Sequence, residues 1–154
     1  MDTFKDLIDL YYKEEKYTKT NVGKNRILVN RDGCNLIIPN DNKEEHGIYL
    51  IESIQGHDCY SYNNLSTHIY HIIEGEGEFI VEDKAFPVYK GNSIKINPNE
   101  IFYYSGKMLM ILEMFPDFNE EHNFIVKKVI YEEENIIHKN IKRRKKAWVK
   151  YYLV

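Results

Sequence analysis

The chain has 154 residues and a formal net charge of −3, a single-domain length able to bury about 70% of the surface that its unfolded form would expose. That charge balance is not that of a nucleic-acid binder as a whole, and no apolar run reaches membrane-spanning length. Thirteen Tyr and seven Phe against a single Trp make an aromatic-rich composition of the kind that strands favour.

In chain order, residues 2–16 predict a short amphipathic helix. Phe4, Leu7, Ile8 and Tyr11 fall on one helical face, and Asp2 or Thr3 can cap the first turn. Residues 1–13 mix acids and bases and do not form a signal peptide, so a soluble cytoplasmic protein is expected. From residue 17 the pattern changes to strands. Residues 24–30 and 34–39 flank Asp32-Gly33, a hairpin signal. Further strands are expected at 47–55, 57–64, 66–74, 77–82, 84–89, 93–97, 101–104, 108–115 and 124–131. Turn residues at roughly 8–12-residue intervals between them argue for an all-β barrel or sandwich. Gly75 and Gly77 are expected to form a tight turn between two of these strands, and Gly91-Asn92 and Pro98-Asn99 to form two more. The organisation expected is a helical arm at 1–20, a β-barrel at 21–131 and a charged tail at 132–154.

The stretch 56–106 resembles the two sequence motifs of the cupin superfamily, the small jelly-roll barrels. The first family motif is Gly, five residues, His-x-His, three or four residues, Glu, six residues, Gly. With the three-residue spacer, this chain offers Gly56, Tyr62-x-Asn64, His68 and Gly75. The second motif is Gly, five residues, Pro-x-Gly, two residues, His, three residues, Asn. Here stand Gly91, Asn97-x-Asn99, Phe102 and Gly106. The resemblance implies an all-β cupin jelly-roll barrel of the compact single-domain type, akin to the RmlC-like members.

In that family two His and a Glu from the first motif and a His from the second hold a metal. Their counterparts here, Tyr62, Asn64, His68 and Phe102, do not make the N/O donor set of a transition-metal site. The expectation is a pocket without metal or cofactor. If His68 faces inward, so do Tyr70 and Ile72, because strand side chains alternate. The candidate pocket is then Tyr62, Asn64, His68, Tyr70, Phe102 and Tyr104, aromatic walls with a few polar groups, as small-molecule sites have. His68, whose ordinary pKa lies near neutrality, is the candidate acid/base, with Tyr62 beside it. Glu113, a carboxylate in the apolar strand 108–115, is either a pocket residue or placed on a solvent face. His71 is expected on the outer face, and Cys34 and Cys59 as packed thiols. His57 and Asp58 are not expected to pair, since neighbours on a strand point to opposite faces.

Two functions compete on these residues. One is a binding module for a small polar metabolite such as a sugar or nucleotide-sugar derivative. The other is a metal-free nucleotide-sugar epimerase or isomerase using His68 as acid/base. Compact cupins often form dimers, so a homodimer is expected, without a membrane partner. Nucleic acid could engage only the basic run, where residues 139–150 hold seven Lys or Arg and no acid.

Overall fold

A computed structural model describes residues 26–31, 34–39 and 42–131. The expected N-terminal helix and charged tail lie outside the described residues. Among those described, the architecture is nine strands and one 3-10 turn: β1 (Arg26–Arg31), β2 (Cys34–Pro39), β3 (Gly47–Ser53), β4 (Cys59–Asn63), β5 (Thr67–Val81), β6 (Lys84–Tyr89), β7 (Ser93–Ile96), β8 (Phe102–Phe115), the turn Glu120–His122, and β9 (Asn123–Lys128). No helix among them is long and apolar enough to cross a membrane.

The sheet is organised around β8. One of its edges pairs antiparallel with β5 along its length, from Thr67 opposite Phe115 to Val81 opposite Phe102. Its other edge pairs with β3, and at Phe102 with Ser61 of β4. Strands β1 and β2 extend the sheet beyond β3, β9 extends it beyond β4, and β6 and β7 flank β5. The side chains that alternate inward from β8, namely Phe102, Tyr104, Met108, Met110, Leu112 and Met114, form the core with Tyr70, Ile72 and Phe79 of β5. This is the alternation expected of a sheet curled round its own apolar face.

One expected turn is absent. Gly75 and Gly77 do not end a strand; β5 runs straight through them, as β8 runs through Gly106. These glycines serve a close crossing instead. Gly77 pairs with Gly106, and a Cβ added to Gly106 would lie 2.6 Å from both the Gly77 Cα and the Glu76 carbonyl oxygen. The register of β5 shifts between Ile72 and Glu74, so the inward set passes from even residues (His68, Tyr70, Ile72) to odd ones (Phe79, Val81), the effect of a bulge. The reversal falls later, at Glu82-Asp83, where both residues have positive φ, 50° and 66°, and Val81 pairs with Lys84. That is the two-residue type I′ geometry of tight hairpins. The turn at Gly91-Asn92 forms as expected, with the Asn92 amide donating to the Tyr89 carbonyl and its side chain accepting from the Tyr89 amide.

Candidate functional site

The curled sheet encloses a cavity of about 190 Å³. Its floor is apolar, with Leu112 and Met114 of β8, Ile51 of β3 and Leu36 of β2. Its reactive wall comes from three places. β5 supplies His68 and Tyr70, β8 supplies Phe102 and Tyr104, and the segment entering β4 supplies His57, Cys59 and Ser61. Among the described residues no Lys, Arg, Asp or Glu lines it.

Gly56 sets the approach to this wall. Its φ is +146°, and a Cβ there would lie 2.7 Å from the Tyr104 carbonyl oxygen and 2.3 Å from the Tyr131 hydroxyl. Only glycine lets the chain pass so close to β8. The next amide, that of His57, then donates to the Tyr104 carbonyl at 2.9 Å. The His57 ring comes to 5.0 Å from the Tyr104 ring, and Tyr104 to 5.5 Å from Tyr70. His57 Nδ1 lies 2.7 Å from the Cys59 carbonyl oxygen. A carbonyl only accepts, so Nδ1 carries a proton, and in the neutral ring the lone pair is on Nε2. Tyr104 places its hydroxyl 3.3 Å from Cys34 Sγ.

His68 is buried between aromatic rings, 6.1 Å from Tyr70 and 5.3 Å from Phe102. Burial, with a smaller contribution from the charge of His57, pushes its pKa down to about 4. It is a neutral hydrogen-bonding group at physiological pH.

Of the residues singled out from the sequence, His68, Tyr70, Phe102 and Tyr104 come together at the cavity. Tyr62, Asn64 and Glu113 do not. Tyr62 packs on Phe124 of β9 with ring centroids 5.2 Å apart, and Asn64 is exposed, its Oδ1 2.9 Å from His122 Nδ1. The inward residues of β4 are Cys59, Ser61 and Asn63, one position out of step with the expectation, and a one-residue slip exchanges the two faces of a strand. Glu113 faces the outer side of β8, where its carboxylate is bracketed by His46 Nε2 at 3.0 Å and His71 Nε2 at 2.8 Å. His57, expected only not to pair with Asp58, lines the cavity as well. The four-residue form of the family spacer, which puts Ser61 and Asn63 at the paired positions, carries the signal for it, because alternation then turns His57 and Cys59 inward as well.

No family profile and no curated protein matches the chain. Solved structures do. The nucleoside dehydratase Pac13 of Streptomyces is 25% identical, with a TM-score of 0.66 over 75% of this chain and 93% of that one. KdgF from Halomonas sp. gives 12% identity and a TM-score of 0.55 over 64% and 98% of the two chains. An RmlC-like cupin from Shewanella frigidimarina gives 14% and 0.54 over 70% and 98%. The chain is a cupin by fold.

The chain departs from the metal-binding pattern of cupins whichever spacer is used. The four positions read Tyr62, Asn64, His68 and Phe102, or Ser61, Asn63, His68 and Phe102, with one imidazole in either set. Asn63 is already committed, its Oδ1 accepting from the amides of Leu65 and Ser66. A second grouping, His57, Asp58 and Cys59, brings three possible ligand atoms within 4.8 Å of one another. The His57 nitrogen nearest the thiol, 3.7 Å away, is the Nδ1 that donates its proton to the Cys59 carbonyl. Ligation through that nitrogen would break this bond, and the three consecutive residues lie outside the four positions of the family's metal pattern. Neither set fits a cupin metal.

Proposed function

We propose that this cupin takes a neutral nucleoside into its barrel cavity and acts on it by metal-independent acid–base chemistry, with His57, Tyr70 and Tyr104 as the working groups. The observation that carries the reading is the convergence of these three side chains on one wall of the cavity. Three variants of Pac13 solved with uridine replace a His by Gln and two Tyr by Phe. In chain order those residues are His, Tyr, Tyr, at intervals of 13 and 34 residues. His57, Tyr70 and Tyr104 stand in the same order at the same intervals.

The chemistry of the wall supports a ligand of this class. Aromatic faces suit a base and the CH face of a ribose, while Ser61, His68 and the tyrosine hydroxyls suit its polar edges. Among the described residues the lining has no Lys or Arg to meet a phosphate, and an anion buried without a partner is costly. This ranks a nucleoside above a nucleotide-sugar. Elimination of water needs one group to take a proton from carbon and another to protonate the departing hydroxyl. The unprotonated Nε2 of His57 suits the first task and a tyrosine hydroxyl the second.

A metal-free isomerase using His68 as acid/base is the second reading, favoured by the place of His68 in the cavity. A pKa of about 4 makes that imidazole a poor proton carrier near neutrality.

Calorimetry with uridine on chelator-treated protein tests the first reading, followed by mass spectrometry for loss of water from nucleosides oxidised on the sugar, whose C–H bonds beside the carbonyl are acidic. Saturable one-to-one binding that survives chelation is expected. A stoichiometric, tightly held metal, or no binding of any uncharged nucleoside, overturns it.

A further inference from the structure

The segment that leaves β9 returns to the back of the site. Tyr131, eight residues after β9 begins, places its hydroxyl 2.9 Å from the carbonyl oxygen of His57 and donates to it. The Tyr103 hydroxyl lies 2.6 Å from the same Tyr131 oxygen. The single Tyr131 proton is spent on the His57 carbonyl, so the second bond must run from Tyr103 to Tyr131. Tyr103 is itself clamped, its ring 4.7 Å from that of Tyr60. Burial raises the pKa of its hydroxyl above the ordinary tyrosine value, which keeps it a donor. The polarity of the relay is therefore fixed: Tyr103 to Tyr131 to the His57 peptide.

We propose that Tyr131 is a positioning residue for His57, holding the peptide of the cavity histidine from outside the cavity. The inference rests on the reading of His57 as the base. Three hydrogen bonds then locate that residue. Its amide is tied to Tyr104 of β8, its Nδ1 to the Cys59 carbonyl, and its own carbonyl to Tyr131. The first two lie within the barrel wall. The third comes from a residue 74 positions away in sequence, and its approach requires the bare Gly56, where a Cβ would sit 2.3 Å from the Tyr131 oxygen. Tyr131 does not line the cavity, so its influence on a ligand passes through His57.

The test is Tyr131→Phe, which keeps the ring and removes the hydrogen bond. Three readouts are compared with the unaltered protein: melting temperature, the ¹H–¹⁵N signals of the His57 ring (assigned with His57→Gln), and uridine affinity by calorimetry. Faster solvent exchange of the His57 Nδ1–H is expected, with uridine binding weakened about three- to tenfold, the effect of one buried hydrogen bond. Tyr103→Phe, which removes only the donor to Tyr131, should move the same signals less far. The double variant should go no further than Tyr131→Phe alone, as members of one relay are not additive. His57 signals and affinity both unchanged in Tyr131→Phe would overturn the proposal, as would a fall in melting temperature alone. If Tyr131→Phe does not fold, the Tyr103→Phe spectrum decides in the same way. If the unaltered protein binds no uridine, the functional reading falls, and the ring signals still judge whether Tyr131 positions His57.

Discussion

The Nδ1 atom of His57 lies 2.7 Å from the carbonyl oxygen of Cys59, and this contact fixes the neutral ring as the tautomer with its lone pair on Nε2. Replacing His57 by Gln keeps an amide able to hydrogen-bond but removes the basic nitrogen. Uridine affinity in His57→Gln is expected to change by less than about tenfold. Elimination from a sugar-oxidised nucleoside is expected to fall by a factor of about 10² to 10⁴, the usual worth of a general base. Calorimetry and a mass-spectrometric rate assay separate the two quantities. Equal loss in both would make His57 a binding group instead.

His68 titrates the fold itself. Its pKa is about 4 in the folded barrel, against an ordinary 6.5, because burial disfavours the imidazolium and the charge of His57 adds to the effect. Below pH 6.5 the unfolded chain binds a proton here that the folded chain refuses. Stability from this group is therefore complete above about pH 6.5, falls as pH drops from there to about 4, and is flat below. The total is roughly 3 kcal/mol. Urea denaturation across that range should show the slope, and His68→Gln should reduce it by about that amount. An unchanged slope in the variant would place the pH dependence elsewhere.

The fold was legible because its signals are local. Alternating apolar residues gave most of the strands, and the two-motif spacing gave the cupin barrel. Gly75 and Gly77 were misread because glycine serves two purposes that one sequence cannot separate. A glycine can turn a chain, or it can let two chains cross, and here it does the second, against Gly106. The site was half legible. His68 and Tyr70 share a face by simple alternation within β5, and Phe102 and Tyr104 within β8. Tyr62 and Asn64 were lost to a one-residue slip in β4, where the family spacer allows two lengths. Glu113 takes the outer of its two expected placements and not the pocket, its carboxylate bracketed there by two histidines. The contact of Tyr131 with His57 spans 74 residues, and no periodicity encodes it.

Charge selectivity follows from the lining. Seventeen side chains surround the cavity, and none among the described residues is a lysine, arginine or carboxylate. A 5′-phosphate would enter an apolar space without a counter-charge, so uridine 5′-monophosphate and UDP-sugars are expected to bind at least about tenfold more weakly than uridine. Competition calorimetry at fixed pH and ionic strength measures the ratio. Tighter binding of the phosphorylated ligands would return the nucleotide-sugar reading to first place.

The last prediction concerns the crossing that shapes the barrel. Gly106 has φ of +119°, a region that side chains strain to adopt, and its missing Cβ leaves room for the Glu76 carbonyl and the Gly77 Cα, each 2.6 Å from where that atom would be. Both neighbours are backbone, so no rotamer change can relieve the contact. The Gly106 amide also donates to the Gln55 carbonyl, and its own carbonyl accepts from the Ser53 hydroxyl at 2.8 Å. A shift at residue 106 therefore travels to the segment that presents Gly56 and His57. Gly106→Ala is expected to cost at least about 2 kcal/mol by urea denaturation, from strained φ and displaced backbone together. Gly91→Ala makes the informative comparison. Gly91 also has a positive φ, +95°, but nothing lies within 4 Å of its missing Cβ. It should show the strain without the collision, and so lose about half as much or less. Equal losses at the two positions would mean that backbone conformation, and not the close approach of β5 and β8, is what requires glycine at 106.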